Sequence, residues 1–302
     1  MLTFGKKAKG AQSLSYDIPK KTTEIEREIF EYELNMPNNA RPCFEIGLAP
    51  NGEKLDDVKC WIPCGRDGRH GLDFSKEECA DFWARAEFNV EALPKKLCLV
   101  VDSDEFHTVF LNGRKITASE PFFLWSHENR IFDITKALKK GVNKLAVHVK
   151  TSEFASKRIS FFHTNETLDP IVLHGDFAVK YNDRETTLCA LPNFLTVGDL
   201  CEQGLKNYLG DVTLKMPLPK GFAAKAIYLP SISGAGATSV AIDGKPLGTR
   251  LWGPYVFDAQ GIRGKTLSIT LSGNLGLLLK RRYGCQRFID SPFGLMKTAR
   301  FF

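Results

Sequence analysis

The most constraining feature of this sequence is a unit within residues 109–149 that combines a hairpin, a capped turn and a strand. Two apolar runs are separated by Asn112-Gly113, a dipeptide that tolerates positive φ and therefore predicts a tight β-hairpin. Asp133 can accept a bond from the free N–H groups of a short helical turn, and Gly141 can take the left-handed position that ends it. A half-buried strand is then predicted by the alternating apolar residues Leu145, Val147 and Val149.

The same unit returns about 125 residues later, between residues 240 and 271. Asp243-Gly244 replaces Asn-Gly in the hairpin, Trp252 takes the place of Trp125, and Phe257-Asp258 precedes a second strand. The second copy has a shorter turn and nothing that matches Asn143. Two such units predict two copies of one domain.

These residues resemble a known family. The runs 111–113, 133–135 and 138–145 resemble the galactose-binding-like β-sandwich of family 2 glycoside hydrolases. The stretch between the two units is similar to the non-catalytic C-terminal half of family 106 rhamnosidases, in residues 169–177, 198–200, 202–205, Tyr208 and Gly210, and Asn38-Asn39-Ala40 near the start of the chain also fits that half. The resemblance covers residues 24–300 and implies tandem jelly-roll sandwiches. It concerns residues that form the fold rather than residues that perform chemistry.

Strand patterns elsewhere agree with an all-β fold of two tandem galactose-binding-like sandwiches. Ala84, Ala86, Phe88 and Val90 alternate with polar residues, and residues 97–101 are continuously apolar, as in a fully buried strand. Residues 24–34 would suit a helix by charge, but Phe30, Tyr32 and Leu34 alternate as in a strand. With 302 residues, the chain is long enough for two domains. We expect a lead-in over 1–23, a first sandwich over 24–200 and a second over 201–302.

Charge and hydropathy argue against nucleic-acid and membrane partners. The net charge of +6 is modest for this length, and the one dense basic cluster, at residues 280–287, is interpreted as a solvated loop. No apolar run approaches the ~20 residues that cross a bilayer. The N-terminus lacks the apolar core of a signal peptide, so we expect the chain to be cytoplasmic or to be a part of something longer.

The eight cysteines show no regular disulfide spacing, and without an export signal reduced thiols are expected. Four potential ligands lie within twenty residues, and three thiolates with one imidazole would suit zinc: Cys60, Cys64, His70 and Cys79. Because Cys-x3-Cys is at the edge of the usual spacing and the resemblance supplies no metal there, we expect no metal and no cofactor. Structural calcium in the loops stays open.

Catalytic residues are not expected within this chain. Glycosidases need two carboxylates at a fixed separation, and in the resembled families these lie in a separate barrel domain. No strand–helix alternation of that kind occurs here. The resemblance therefore implies a non-catalytic carbohydrate-binding region, or a region that supports a catalytic glycosidase domain. The alternatives are a part of a rhamnosidase-type hydrolase whose catalytic residues lie elsewhere, and a protein-interaction scaffold.

Sugar binding is the remaining chemistry, because sugars present one face of C–H groups and a rim of hydroxyls. An aromatic platform beside short polar groups is therefore the pattern to seek. Trp125 lies in a loop with three polar candidates, His127, Glu128 and Arg130, and Trp252 with Tyr255 forms the counterpart in the second unit. The opposing interpretation is that both Trp side chains plug the sandwich below the loop.

Overall fold

A computed structural model describes residues 23–24, 28–49, 54–66, 81–101, 107–149, 170–279 and 292–302. Strands make up 51% and helices 6% of the structure, which confirms the all-β sandwich fold. Residues 1–22 of the lead-in predicted over 1–23, the zinc candidates His70 and Cys79, and the basic cluster at 280–287 lie outside the described residues, whereas Thr23 belongs to a strand.

The strands are short, as expected for a chain with turn dipeptides at close spacing. In chain order they are β1 (Thr23–Glu24), β2 (Ile29–Leu34), β3 (Asn38–Ala40), β4 (Phe44–Leu48), β5 (Ile62–Gly65), β6 (Phe82–Val90), β7 (Leu97–Val101), β8 (His107–Leu111), β9 (Arg114–Ile116), β10 (Glu120–Pro121), β11 (Arg130–Asp133), β12 (Gly141–Val149), β13 (Val172–Gly175), β14 (Ala178–Asn182), β15 (Glu185–Cys189), β16 (Leu195–Thr196), β17 (Asp211–Pro217), β18 (Ala226–Leu229), β19 (Ile232–Ser233), β20 (Ala237–Ile242), β21 (Lys245–Arg250), β22 (Tyr255–Asp258), β23 (Thr266–Ser272), β24 (Gly294–Leu295) and β25 (Arg300–Phe301).

Helical segments in the described residues are single turns. Two 3-10 turns cover Leu55–Asp57 and Thr135–Ala137, an irregular helical turn covers Cys201–Leu205, and the α-helix α1 covers Gly276–Leu279. Within the described part of the chain, none of these is long and apolar enough to span a membrane.

The first sandwich consists of strands β3 to β15. One sheet has the order β10-β11-β7-β13-β3, and the other has the order β14-β15-β6-β12-β8-β9, with β4 and β5 attached to β6. The alternating residues of β6 that the sequence marked as apolar face the core between these sheets, together with Leu111, Leu145 and Val147.

The second sandwich consists of β1, β2 and β16 to β25. Its sheets have the orders β1-β25-β18-β22 and β16-β2-β17-β23-β20-β21, with a small β19-β24 pair. The core between them includes Phe30, Val212, Ile227, Val240, Phe257 and Ile269.

The two sandwiches share one pairing order. The run β6-β12-β8-β9 corresponds to β17-β23-β20-β21, and β3-β13-β7-β11 corresponds to β1-β25-β18-β22. Both hairpins turn at two positive-φ residues, Asn112-Gly113 (52° and 79°) and Asp243-Gly244 (47° and 76°), which confirms the predicted turns. The short turns also match, because Asp133 accepts the N–H of Thr135 and Asp258 accepts that of Gln260, each at 2.9 Å.

The chain enters the second sandwich before it enters the first. Strand β2 pairs with β17 over Glu31–Leu34, and Phe30 lies in the second core. The first sandwich is therefore inserted between β2 and β16. This pairing moves residues 29–34 and 195–196 out of the predicted first range, 24–200, and into the second sandwich.

Asn143 closes the first copy of the repeated turn. Its fully buried side chain donates to the carbonyls of Lys139 and Gly141 and accepts the N–H of Lys139. Its Oδ1 also accepts from Asn112, at 2.9 Å, so the hairpin and the turn are tied together. Gly141 has the predicted positive φ, 84°, but it begins β12 and does not end the helical turn, which already stops at Ala137 with Leu138 in an extended conformation.

A buried polar junction joins the two sandwiches. The side-chain amide of Asn38 donates to the backbone carbonyls of Phe177 and Gly204. That of Asn39 donates to the carbonyl of Asn207, and the Arg41 guanidinium donates to the carbonyl of Leu278 at 3.0 Å. An apolar junction cluster lies beside these bonds and comprises Val100, Leu124, Val172 and Leu278, with Met36, Phe122, Trp125, Ile131 and Leu209 at its margin. The residues that carry the family 106 resemblance therefore include the contacts between sandwiches.

Candidate functional site

The Trp125 loop is a rigid structure built around one amide. Asn129 is fully buried, and its Oδ1 accepts the N–H groups of Leu124, Trp125 and Ser126 at 2.9–3.2 Å. Its backbone carbonyl accepts the N–H of Phe122 at 3.0 Å. A single Asn that satisfies three backbone donors holds the loop in one conformation.

Trp125 itself is half-buried and packs at the margin of the junction cluster. It therefore lies at the contact between the two sandwiches, a position that sequence spacing does not reveal. This placement is intermediate between the exposed platform and the fully buried plug that the sequence left open.

The three polar candidates of this loop have different surroundings. His127 is exposed and lies 4.7 Å from the ring of Phe123, which is also exposed. Glu128 is exposed, and the Arg130 guanidinium donates to the carbonyl and the hydroxyl of Ser119, both at 3.2 Å. The loop thus keeps His127 and Glu128 at the surface, while Arg130 is hydrogen-bonded to the neighbouring segment at Ser119.

Trp252 differs sharply from its counterpart, because its side chain is 73% exposed. It precedes a cis Gly253-Pro254 bond and follows Leu251, which is 59% exposed. Tyr255 is half-buried and packs against the second core. The two loops that the repeat equates therefore present very different aromatic surfaces.

The zinc candidates are only partly described. Cys60 is exposed, whereas Cys64 is buried and its thiol lies 3.6 Å from the carbonyl of Ile62. Among the residues that the structure describes, no group of three or more His, Cys, Asp and Glu side chains is placed to hold a metal ion.

A concave surface that the sequence did not single out lies on the outer face of the first sandwich. Antiparallel register aligns Glu45 of β4, Arg85 of β6, Ala146 of β12 and Phe110 of β8 in one row across the sheet. The next row aligns Trp83 with His148, whose rings stack at 4.7 Å. Ala146 and Trp83 are buried in a small apolar cluster with Trp61 and Phe110 at its margin, and we call the cavity lined by these residues the outer groove.

Aromatic and charged side chains are held together in the outer groove. The Arg85 guanidinium lies 3.8 Å from the centre of the Trp61 ring and donates to Glu45 Oε2 from both Nε (3.1 Å) and Nη2 (2.9 Å). Lys144 pairs with Glu87 at 3.7 Å in the adjacent row. Cation–π contact and a charge-assisted bond from two nitrogens fix Arg85 more firmly than a lone surface ion pair would.

One wall of the outer groove is the segment 54–61, which folds over β4 at Gly47. A Cβ added to Gly47 would lie 2.3 Å from Val58, so only glycine lets this segment approach. The cavity has a volume of about 1200 Å³. Its charged lining residues are nearly balanced in sign, with cations at Lys54, Arg85, Lys139, Lys144 and Arg184 and anions at Glu45, Asp56, Glu87 and Glu185.

The sequence contained one signal for this groove. Once Ala84 and Ala86 are assigned to the core, period-two alternation turns Trp83, Arg85 and Glu87 outward. A Trp on an outward position was therefore visible, but its neighbours on β4, β8 and β12 depend on pairing across the sheet.

Comparison with known proteins gives no family. No family model and no curated protein matches the chain. Among solved structures it is similar to the β-glucuronidase from Ruminococcus gnavus, a glycoside hydrolase, with 15% identity. The complex with D-glucuronic acid has a TM-score of 0.32 and the complex with uronic isofagomine has 0.33, each covering 82% of this chain. The chain spans 44% and 42% of those chains, and a likeness at this level assigns neither family nor activity to it.

Proposed function

We propose that this chain is a non-catalytic carbohydrate-binding region, in which the Trp252 loop contacts sugar. The observation that carries the proposal is the 73% exposure of the Trp252 side chain. Trp252 and the adjacent Leu251 (59% exposed) form a contiguous exposed apolar surface, which is typical of binding sites, and a flat ring suits the C–H face of a sugar. Tyr255 belongs to this loop, whereas Trp125 has a supporting role between the sandwiches.

Glycosidase support is the second part of the proposal. The residue pattern resembles the accessory half of rhamnosidase-type hydrolases, and the junction joins the two sandwiches through bonds from Asn38, Asn39 and Arg41. A rigid pair of sandwiches suits a region that buttresses a catalytic glycosidase domain. Its contribution there would be positioning rather than chemistry.

Replacement of Trp252 by Ala tests the sugar-binding proposal. We expect weaker retention of the chain on a glycan array and an unchanged melting temperature, because an exposed ring contributes little to folding. Phe194→Ala is the matched control, since Phe194 is an exposed aromatic (53%) outside the Trp252 loop. Equal retention of the wild type and Trp252→Ala on every glycan would contradict the assignment of this loop.

A further inference from the structure

We propose that the outer groove is a second binding site, which takes a neutral oligosaccharide of two or more sugar rings. It is separate from the Trp252 loop, because it lies on β4, β6, β8 and β12 of the first sandwich. The inference does not require the Trp252 loop to bind sugar.

The size of the outer groove indicates an extended ligand. Its volume of about 1200 Å³ exceeds the roughly 300–1000 Å³ of ordinary small-molecule pockets. Along β6, the outward residues from Trp83 to Glu87 span roughly 13 Å at the strand rise of about 3.3 Å per residue. That length accommodates more than one sugar ring.

The pairing of charges indicates a neutral, hydroxyl-bearing ligand. Arg85 is bonded to Glu45, and Lys144 is paired with Glu87. A carboxylate or phosphate ligand would compete with these acids, and a cationic ligand would compete with the bases. A hydroxyl can donate to the acid and accept from the base at once, so it uses the remaining capacity of each pair.

Aromatic side chains supply the apolar part of the recognition. Trp61 is half-buried beside Arg85, and Phe110 is half-buried in the same row of the sheet. Sugar C–H groups can contact such rings while the hydroxyl rim reaches the charged pairs.

Peptide recognition by strand addition does not fit this floor. The groove lies over β6 and β12, and both strands are paired on two sides. Their backbone N–H and C=O groups are therefore used within the sheet, and an added strand would need a free edge.

The test uses the full chain carrying Trp252→Ala. Isothermal titration calorimetry measures its binding of cellohexaose, xylohexaose and mannohexaose. This background removes the Trp252 ring on which the proposed function rests, so the two assignments succeed or fail independently. We expect at least one neutral hexasaccharide to bind. Trp61→Ala and Arg85→Ala should each weaken that binding by about tenfold or more, whereas Trp61→Phe keeps a ring and should retain most of it.

Hexagalacturonate is the charged comparison, and melting temperatures show whether each variant is folded. If Trp61→Ala does not fold, Lys144→Ala replaces it as the test variant. Lys144 belongs to the exposed pair with Glu87, and its loss should also weaken binding. The proposal is overturned if no neutral hexasaccharide binds at millimolar concentration, if hexagalacturonate binds more tightly than all three, or if folded groove variants bind like their parent.

Discussion

At the residue scale, His174 is a buried titratable group of the junction. Its Nδ1 lies 2.8 Å from Asn39 Oδ1, and Asn39 in turn donates to the carbonyl of Asn207 in the second sandwich. The ring packs 5.3 Å from Phe122. Burial lowers the pKa of His174 to about 4, while the neighbouring Asp176 carboxylate opposes that shift. The folded chain therefore holds this imidazole neutral.

This pKa predicts acid sensitivity. As the pH falls, the unfolded chain protonates His174 near pH 6.5 and the folded chain only near pH 4. The free energy of unfolding should therefore have its full value above about pH 6.5 and should decrease as the pH falls towards 4. The contribution of His174 to this decrease is roughly 3 kcal/mol. Urea denaturation at several pH values measures the decrease.

His174→Gln provides the control for this pH dependence, because Gln can still donate to Asn39 but does not titrate. The variant should lose the part of the decrease that belongs to His174. Asp133 does not interfere, since its hydrogen bonds from Thr135 lower the pKa of its carboxyl, and its contribution is lost only at still lower pH. The prediction is wrong if the free energy of unfolding decreases equally in the wild type and in His174→Gln between pH 6.5 and pH 4.

At the element scale, the helical turn Cys201–Leu205 brings the second sandwich against β14. Gly204 has a φ of 99°, and a Cβ added to it would lie 2.6 Å from the Cβ of Ala178. Both the backbone conformation and the contact therefore require glycine. Gln203 holds the same turn, because its amide bonds to Thr196 and Asp199.

Gly204→Ala should destabilise the chain more than Gly221→Ala. Gly221 also has positive φ (76°), but nothing lies within 4 Å of its added Cβ, so that variant reports backbone strain alone. Strain costs about 1–2 kcal/mol and overpacking about 1–3 kcal/mol more at Gly204. Chemical denaturation of the two variants measures the difference. Equal destabilisation would show that the turn moves freely away from β14.

At the scale of the whole molecule, the insertion of the first sandwich into the second determines which fragments can fold. Residues 201–302 lack β1, β2 and β16, and with them Phe30 and Leu195 of the second core. Residues 37–194 retain every strand of the first sandwich that the structure describes.

A fragment of residues 37–194 should therefore unfold cooperatively, whereas a fragment of residues 201–302 should not. The reason is that β17 would lose its partner β2, and the core would be open along that side. Near-ultraviolet circular dichroism during urea denaturation distinguishes the two outcomes. Cooperative unfolding of the 201–302 fragment would support the boundary at residue 200 that the sequence predicted.

Local features of the fold were predictable because the residues concerned carry their own conformational preference. Asn112-Gly113 and Asp243-Gly244 tolerate positive φ wherever they occur, and the continuous apolar run of β7 required burial on both faces. The structure provides the second cover for β7, since Val100 belongs to the junction cluster together with Leu278. The sequence alone did not show which residues would cover that face of β7.

The candidate sites also depend on contacts between distant parts of the chain. The repeat equated Trp125 with Trp252, yet one packs between the sandwiches and the other is exposed, because among the described residues the first loop alone packs in the junction cluster. The outer groove depends on the register of four strands that are distant in the chain. The sequence by itself thus determined the strands with a clear apolar pattern and the two hairpin turns, and the assignment of β6 adds the outward position of Trp83. The tertiary structure alone decided which residues share a surface, because pairing register and domain insertion follow from burial of the whole core rather than from any local run.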